Sequence, residues 1–373
     1  MKVETKENGR KFYLYGAGYG GERCLKLLKE CVKIEGIIET DNSRIGDLWN
    51  GYPITSLEHA LAVENCYILI SVVTDTYKKE IENVLCSHGL EYNKDYCFYE
   101  DISDFAYKFS DAIIEDYMEL YVTGRCTLRC KECSLMIPYI KSPKDILIDD
   151  ILKSIDNYFK KIDKVKEIHI LGGEPFLYNG LEEITEYIYK NYEERFLALG
   201  YVTNGTVMPN EELIRTMKKN KVSVIISEYP MERVVLLREK LISVLKDNDI
   251  TCYNIAYSEW HSLFDNPYEK LDMEKGGLKS CLSCDMPCRT LYDSKIFYCA
   301  VDCAAKRNQI IESNGNGEID LEKNEKAVIA KLLYEYREVK FDENNYPEFC
   351  QNCYGYPGIV KRTIPVAEQL ENN

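Results

Sequence analysis

The sequence has no apolar run approaching the roughly 20 residues that a membrane span requires. Its opening, MKVETKENGRKFYLYG, has no secretory hydrophobic region. It also has no basic surplus: Lys and Arg number 47 against 62 Asp and Glu, for a net charge of −15. Nucleic acid and anionic lipid bind through Lys and Arg excess, so neither a nucleic acid nor a membrane is expected as partner. The expected location is cytoplasmic, and the expected partner is a small molecule or a short peptide. Histidine is scarce. His59, His88, His169 and His261 are the four, each isolated and read as structural, and no one of the 30 tyrosines stands out as an acid or base. The catalytic side chain is therefore left unassigned.

Cysteine is abundant, with 16 in 373 residues. A chain this long without an export signal is not a disulfide-stapled secreted mini-protein, so the thiols are read as metal ligands or as free thiols in a reducing compartment. Ten fall in two places: Cys126, Cys130 and Cys133, then Cys281, Cys284, Cys288, Cys299, Cys303, Cys350 and Cys353. The others, Cys24, Cys31, Cys66, Cys86, Cys97 and Cys252, lie among apolar residues and read as small buried hydrophobes.

The length suffices for two or three compact units. Residues 12 to 100 alternate short apolar runs with helical patterns, as βαβ units around a parallel sheet do. A strand at Lys11 to Tyr15 runs into Gly16, Gly18 and Gly21, a GxGxxG turn, followed by a helix over Glu22 to Glu30 and a strand over Ile34 to Ile38. Glu39 and Asp41 close that strand where a dinucleotide-binding carboxylate would meet a ribose, and the helix N-terminus after the glycines suits a phosphate. A structural role for the turn is an equal alternative. A further strand over Tyr67 to Val72 leads to a helix over Tyr77 to His88, and residues 101 to 115 read as an amphipathic connector.

A second α/β pattern runs from Tyr117 to about residue 260. Strands at Tyr117 to Val122, Glu167 to Leu171, Leu199 to Thr203 and Val222 to Ser227 alternate with helices near 147–161, 180–191, 209–219 and 231–247. The repeated βα unit predicts a barrel or partial barrel with its site on loops at the strand C-terminal ends. The notable residues fall there. GRCTLRCKECS carries CxxxCxxC spacing, so three thiolates in one loop converge on one iron-sulfur cluster and leave one iron open. Zinc is the alternative, but a structural zinc site takes four ligands and no fourth lies nearby.

Together with Gly172, Gly173 and Glu174 at one strand end and Thr203, Asn204 and Gly205 at another, this loop resembles the radical S-adenosylmethionine (SAM) superfamily. The resemblance covers about residues 116 to 260. It implies a partial (β/α)6 TIM-type barrel in an α/β chain, a [4Fe-4S] cluster on Cys126, Cys130 and Cys133, and SAM on its open iron. It further implies that Gly172, Gly173 and Glu174 hold the methionine amino group, with Thr203, Asn204 and Ser227 as polar contacts. Flavodoxin or ferredoxin is the implied electron donor, under anaerobic conditions. One departure is Glu132, where many family members carry an aromatic residue near adenine. Leu135 or Met136 is the alternative apolar surface, core packing is the plainer reading of both, and Glu132 itself is compatible with facing solvent.

The C-terminal cysteines, in SCLSCDMPCRTLYDSKIFYCAVDC and FCQNCYG, resemble the twitch or SPASM extensions that carry auxiliary clusters, although the full SPASM order is not reproduced. Cys288 and Cys299 flank an expected hairpin of Leu291–Asp293 and Lys295–Tyr298. The favoured auxiliary [4Fe-4S] ligands are Cys288, Cys299, Cys350 and Cys353, with Cys281, Cys284 and Cys303 as alternates. A zinc ribbon is the other reading.

Three domains are expected: 1–105, 106–275 and 276–373. The stretch ETDNSRIGDLWNGYPITSLEHA resembles the Rossmann-like N-terminal domain of bacterial sugar acyltransferases, which makes Asp41 and Asn42 candidate nucleotide contacts. With TLRCKEC, GGEPFL and IPVAEQ, the whole resembles uncharacterised radical SAM proteins of bacterial surface polysaccharide synthesis. The implied substrate is a carbohydrate or nucleotide sugar. A ribosomal-peptide maturase is the second reading and a non-catalytic iron-sulfur redox sensor the third.

Overall fold

The computed structural model describes residues 9–272, 275–284, 289–338, 341–342, 345–356 and 362–370. Two compact units emerge: residues 1–116 with 162–166 and 194–197, and the remainder to residue 373. The cysteine-rich C-terminal stretch therefore shares a unit with the expected barrel.

In the first unit the chain runs β1 (Lys11–Tyr15), α1 (Tyr19–Leu28), β2 (Ile34–Ile38), β3 (Leu48–Trp49), β4 (Tyr52–Thr55), α2 (Leu57–Leu61), β5 (Cys66–Ile70), α3 (Asp75–Ser87), β6 (Tyr96–Phe98) and α4 (Ile102–Ser110). The sheet order is β3-β4-β2-β1-β5-β6, parallel except for the β3–β4 pair. Strands run outward from β1 on both sides, which puts the reversal of order between β1 and β5. The expected connector over 101–115 is instead largely α4, a helix of this core. Phe105 and Phe109 meet Phe12 at ring-centroid distances of 5.2 and 5.0 Å and Tyr67 at 5.6 and 5.0 Å, so an apparent linker is held by aromatic burial. Of the six cysteines read as buried hydrophobes, Cys24, Cys31 and Cys97 are buried, Cys66 and Cys252 are partly buried, and Cys86 on α3 is exposed. That last position is a correction: it lies on the solvent side of an amphipathic helix whose buried face is Ile81 and Leu85.

Beyond α4 come β7 (Ile114–Tyr121), α5 (Ile148–Lys161), β8 (Lys164–Leu171), α6 (Leu181–Tyr192), β9 (Phe196–Thr203), α7 (Glu211–Asn220), β10 (Ser223–Glu228), α8 (Glu232–Asp247), β11 (Cys252–Ala256), β12 (Trp260–His261), α9 (Leu278–Leu282), β13 (Thr290–Tyr292), β14 (Lys295–Phe297), α10 (Ala300–Arg307), β15 (Glu318–Asp320), α11 (Lys326–Glu338) and β16 (Thr363–Ile364). One sheet holds β11-β10-β9-β8-β7-β13-β14-β15. β13 is parallel to β7, so this strand extends the sheet beyond β7 instead of following β11. The expected hairpin is β13–β14, paired antiparallel from Thr290↔Phe297 to Tyr292↔Lys295, and it is fused to the main sheet. Two-residue strands β12 and β16 pair antiparallel. Among the described residues no helix is long and apolar enough to cross a membrane.

Candidate iron-sulfur and SAM site

Leaving β7, the chain keeps bonding to the end of β8. Val122 N donates to Leu171 O at 2.9 Å, Gly173 N to Thr123 O at 2.8 Å and Glu174 N to Arg125 O at 2.8 Å. These bonds lay Thr123–Cys126 flat along Gly172–Glu174. A side chain at Gly172 would come within 2.7 Å of the Thr123 carbonyl, and one at Gly173 would strike the Arg125 carbonyl and lie 2.9 Å from Cys126 Cβ. The two glycines are thus a flat shelf for the first cysteine. Arg125 is itself clamped, with Nε and Nη2 on the two oxygens of Asp145 at 2.9 and 2.7 Å and Nη2 also on the Leu177 carbonyl.

Burial raises all three thiols: Cys126 to about 12, Cys130 to about 11, and Cys133 upward, with mutual repulsion adding to the rise at Cys126 and Cys130. The three sulfurs therefore feel one another in a desolvated loop, the situation that bound iron reverses by stabilising thiolate. N–H groups already point at the sulfurs. Leu128 N and Asn204 Nδ2 each approach Cys126 Sγ at 3.5 Å, and Gln369 Nε2 donates to Cys130 Sγ at 3.2 Å. Donors on sulfur suit ligated thiolates, so the residues present fit a cluster.

Gln369 was not singled out from the sequence. It sits on a C-terminal segment bonded to the cysteine loop: Arg129 N donates to Gln369 Oε1 at 2.8 Å, Lys131 N to Glu368 O at 2.6 Å and Leu370 N to Arg129 O at 2.8 Å. Two aromatic residues were also missed. Tyr229 and Trp260 pack beside Leu128, Cys126, Cys130 and Cys133, with ring centroids 5.7 Å apart. Their distance in sequence from the CxxxCxxC loop leaves no local signal. Glu132 is buried, a correction to its solvent-facing reading: at 4% exposure its Oε2 accepts from Leu263 N at 2.9 Å. Met136 lies in a core with Leu263, Phe264, Val301 and Phe349, in line with the plainer of its two readings.

Glu174 is fully buried. Its carboxylate accepts from Thr203 Oγ1 at 2.8 Å, Asn204 N at 2.9 Å and Phe176 N at 3.2 Å. Burial pushes the group up to about 7, and these three donors oppose the rise. Glu174 and Thr203 thus tie the end of β8 to the end of β9. Asn204 reaches from there to Cys126 and to Thr127 Oγ1, the latter at 3.2 Å. Ser227 hydrogen bonds Tyr229.

The C-terminal cysteines form a second group. Cys350 hydrogen bonds Cys281 and feels Cys299 and Cys353, Cys299 feels Cys284 and Cys353, and Cys353 feels Cys284 and Cys281. Cys299, Cys350 and Cys353 of the favoured set therefore come together with the alternates Cys281 and Cys284, while Cys288 lies outside the described residues. Cys303 is turned elsewhere: the charges acting on it most strongly are Arg307, Asp302, Glu119 and Lys306. A buried ion network braces this group. Lys306 Nζ sits 2.9 Å from Asp302 Oδ2 and pairs with Glu348, and Phe349 N donates to Asp302 Oδ1 at 2.8 Å. Burial raises Asp302 to about 6 against the pull of Lys306. Among the described residues no three His, Cys, Asp or Glu side chains form a group that could hold a single metal ion.

In the first unit Gly16 has φ +116°, and a side chain at Gly21 would lie 2.9 Å from Trp49. Gly18 caps α1 without a side-chain bond. Ala17 N is taken by Glu39 Oε1 at 2.7 Å, and Asp41 caps its own turn through Ser43 N at 2.9 Å and Ser43 Oγ at 2.6 Å. Both carboxylates thus have local partners.

Residues 120–227 match the family model of the Radical SAM superfamily. A GTP 3',8-cyclase of Helicobacter pylori strain J99 is 32% identical over 133 residues, 34% of this chain and 39% of the relative. One of Aliarcobacter butzleri strain RM4018 is 32% identical over 96 residues, 25% and 28% respectively. The chain thus spans at most about two-fifths of the curated relatives it matches. Among solved structures, BtrN in complex with AdoMet and 2-DOIA shares 15% identity over 68% of this chain and 98% of its own, at TM-score 0.41. Streptococcus suis SuiB bound to precursor peptide SuiA shares 16% over 51% and 47%, at TM-score 0.32.

Proposed function

We propose that this chain, a radical SAM enzyme with a [4Fe-4S] cluster and SAM as cofactors, acts on a carbohydrate or nucleotide sugar. The observation that carries the reaction class is the trio Cys126, Cys130 and Cys133 in one desolvated loop, its first member laid on the Gly172–Gly173 shelf and two of its sulfurs facing N–H donors. Bound there, the cluster would pass one electron from an external reductant such as a flavodoxin or ferredoxin to SAM, giving methionine and a 5'-deoxyadenosyl radical able to take hydrogen from an unactivated C–H bond.

The chain's own residues then have defined tasks. Cys126, Cys130 and Cys133 ligate, while Gln369 and Asn204 stabilise thiolate. The Gly172–Glu174 edge lies beside Cys126 and is the candidate seat of the methionine amino group, with Thr203 and Asn204 flanking it and Ser227, bonded to Tyr229, a further candidate polar contact. Tyr229 and Trp260 supply the aromatic surface that Glu132 does not. Four of the gathered Cys281, Cys284, Cys299, Cys350 and Cys353 would hold an auxiliary [4Fe-4S] cluster. Its use would be to bind substrate or to accept an electron from it. The parallel first unit, with its Gly16–Gly21 turn and its sugar-acyltransferase-like stretch, supports a nucleotide-sugar substrate bound near Asp41 and Asn42.

Two measurements test this reading. Iron counting on anaerobically reconstituted protein should give about eight irons per chain, and about four with one zinc would contradict the auxiliary cluster. Incubating the full-length enzyme with SAM, reductant and a panel of deuterated nucleotide sugars should move deuterium into 5'-deoxyadenosine. Transfer from GTP or from a peptide, with none from any sugar, would overturn the substrate class.

A further inference from the structure

α10 connects the two cysteine groups. Cys299 stands at its N-cap, and at its other end Arg307 Nη2 and Asn308 Nδ2 both donate to Leu135 O at 3.4 Å, two residues past Cys133. The Arg307 guanidinium lies over the Tyr121 ring, its central carbon 3.2 Å from the ring centroid. Tyr121 ends β7, the strand that feeds the CxxxCxxC loop, and is 2% exposed.

This stacked pair carries two unused donors. Arg307 Nη1 and the Tyr121 hydroxyl are both buried and without a hydrogen-bond partner. No carboxylate pairs with Arg307 among the described residues. Of the nearby acids, Glu119 accepts from Thr290 Oγ1 at 3.0 Å and Tyr117 OH at 3.2 Å and Asp302 belongs to the Lys306 network, while Asp150 and Asp293 line the small cavity beside Tyr121 and Tyr292 without an ion pair to Arg307 among the described residues. A desolvated guanidinium is tolerated where an anion completes it, and its planar fork favours carboxylate and phosphate. The cysteine-loop charge reaches this spot as well, since Arg307 acts on Cys133.

We propose that Arg307 and the Tyr121 hydroxyl form an oxyanion subsite beside the SAM cluster loop that anchors a phosphate or carboxylate group of the substrate. The subsite rests on the reading of the chain as a radical SAM enzyme with a small-molecule substrate, and it narrows that substrate to an anion. It also accounts for α10: the helix that braces the C-terminal cysteines ends in the residue that would hold the substrate.

The test is anaerobic calorimetric titration of the reconstituted full-length enzyme with pyrophosphate and, separately, citrate. Saturable binding of either to the wild type, weakened about tenfold or more in Arg307→Met, is expected. Preference for pyrophosphate marks a phosphorylated substrate, and preference for citrate a carboxylated one. If Arg307→Met does not fold, Tyr121→Phe, which removes one oxygen, carries the test with an expected weakening of about threefold. Failure of both anions to bind the wild type, or unchanged affinity in the variant that folds, overturns the subsite. So does a shifted midpoint potential of the SAM cluster in Arg307→Met with unchanged anion affinity, which would make Arg307 the counter-charge of the cluster. Because the readout is binding, it can fail while 5'-deoxyadenosine formation persists, and the two readings fall separately.

Discussion

The side-chain amide of Gln369 bridges the cysteine loop, donating to Cys130 Sγ at 3.2 Å and accepting from Arg129 N at 2.8 Å. A residue 239 positions away in sequence thereby sets the polarity around one of the proposed cluster ligands. N–H donors on ligating sulfur favour the reduced, more negative cluster. Gln369→Leu should lower the midpoint potential by about 20–60 mV, which for a one-electron couple is the equivalent of about one ordinary net hydrogen bond, and slow reductive SAM cleavage several-fold. An EPR-monitored redox titration reads this directly, and an unmoved potential would assign Gln369 to loop geometry alone.

Gly173 is predicted to be intolerant of any side chain. In Gly173→Ala the new methyl would meet the Arg125 carbonyl and Cys126 Cβ, an overpacking cost of about 1–3 kcal/mol placed on a proposed cluster ligand. Reconstituted variant should lose about four irons and most 5'-deoxyadenosine formation, and keep the irons of the C-terminal group. Full iron loading would show that the shelf yields.

Glu174 makes stability depend on pH with a definite sign. Its carboxyl is raised by burial to about 7 in the folded protein, against about 4.3 in an unfolded chain. The folded state therefore holds a proton that the unfolded state has released, and this contribution is present in full below about pH 4 and lost as pH rises towards 7. Glu174→Gln cannot titrate, so its stability relative to wild type should improve from pH 5 to pH 8, by on the order of 1–3 kcal/mol. Denaturant unfolding of cluster-free protein across that range checks it, and parallel pH profiles would contradict it.

Lys306 neutralises acids that are otherwise buried, Asp302 at 1% side-chain exposure among them. Lys306→Met should destabilise the protein by about 3–5 kcal/mol, because uncompensated charge stays buried. It should also loosen the 350–353 loop through the Phe349–Asp302 bond and lower C-terminal iron content. Wild-type stability and iron content together would remove the bracing role.

The periodic elements were readable from sequence because apolar spacing reports them: β1 and β2 fall on the expected Lys11–Tyr15 and Ile34–Ile38. The three-cysteine loop and its glycine shelf were readable because both are local motifs at strand ends. Long-range partners were not. Gln369, Tyr229, Trp260 and Arg307 reach their positions through tertiary packing, and no spacing rule connects residue 307 to residue 121. α4 was missed as part of a core because its apolar face has the amphipathic pattern a connector can also show. Cys303 was grouped with its neighbours by spacing, whereas its place on α10 turns it towards Arg307.

The central claim is tested most directly by measuring 5'-deoxyadenosine released from SAM by reconstituted wild type and Cys126→Ala, under reductant and without oxygen. Steady release by the wild type and none above background by the variant is the expected result; release by Cys126→Ala at the wild-type rate would contradict the assignment of the cluster to this loop.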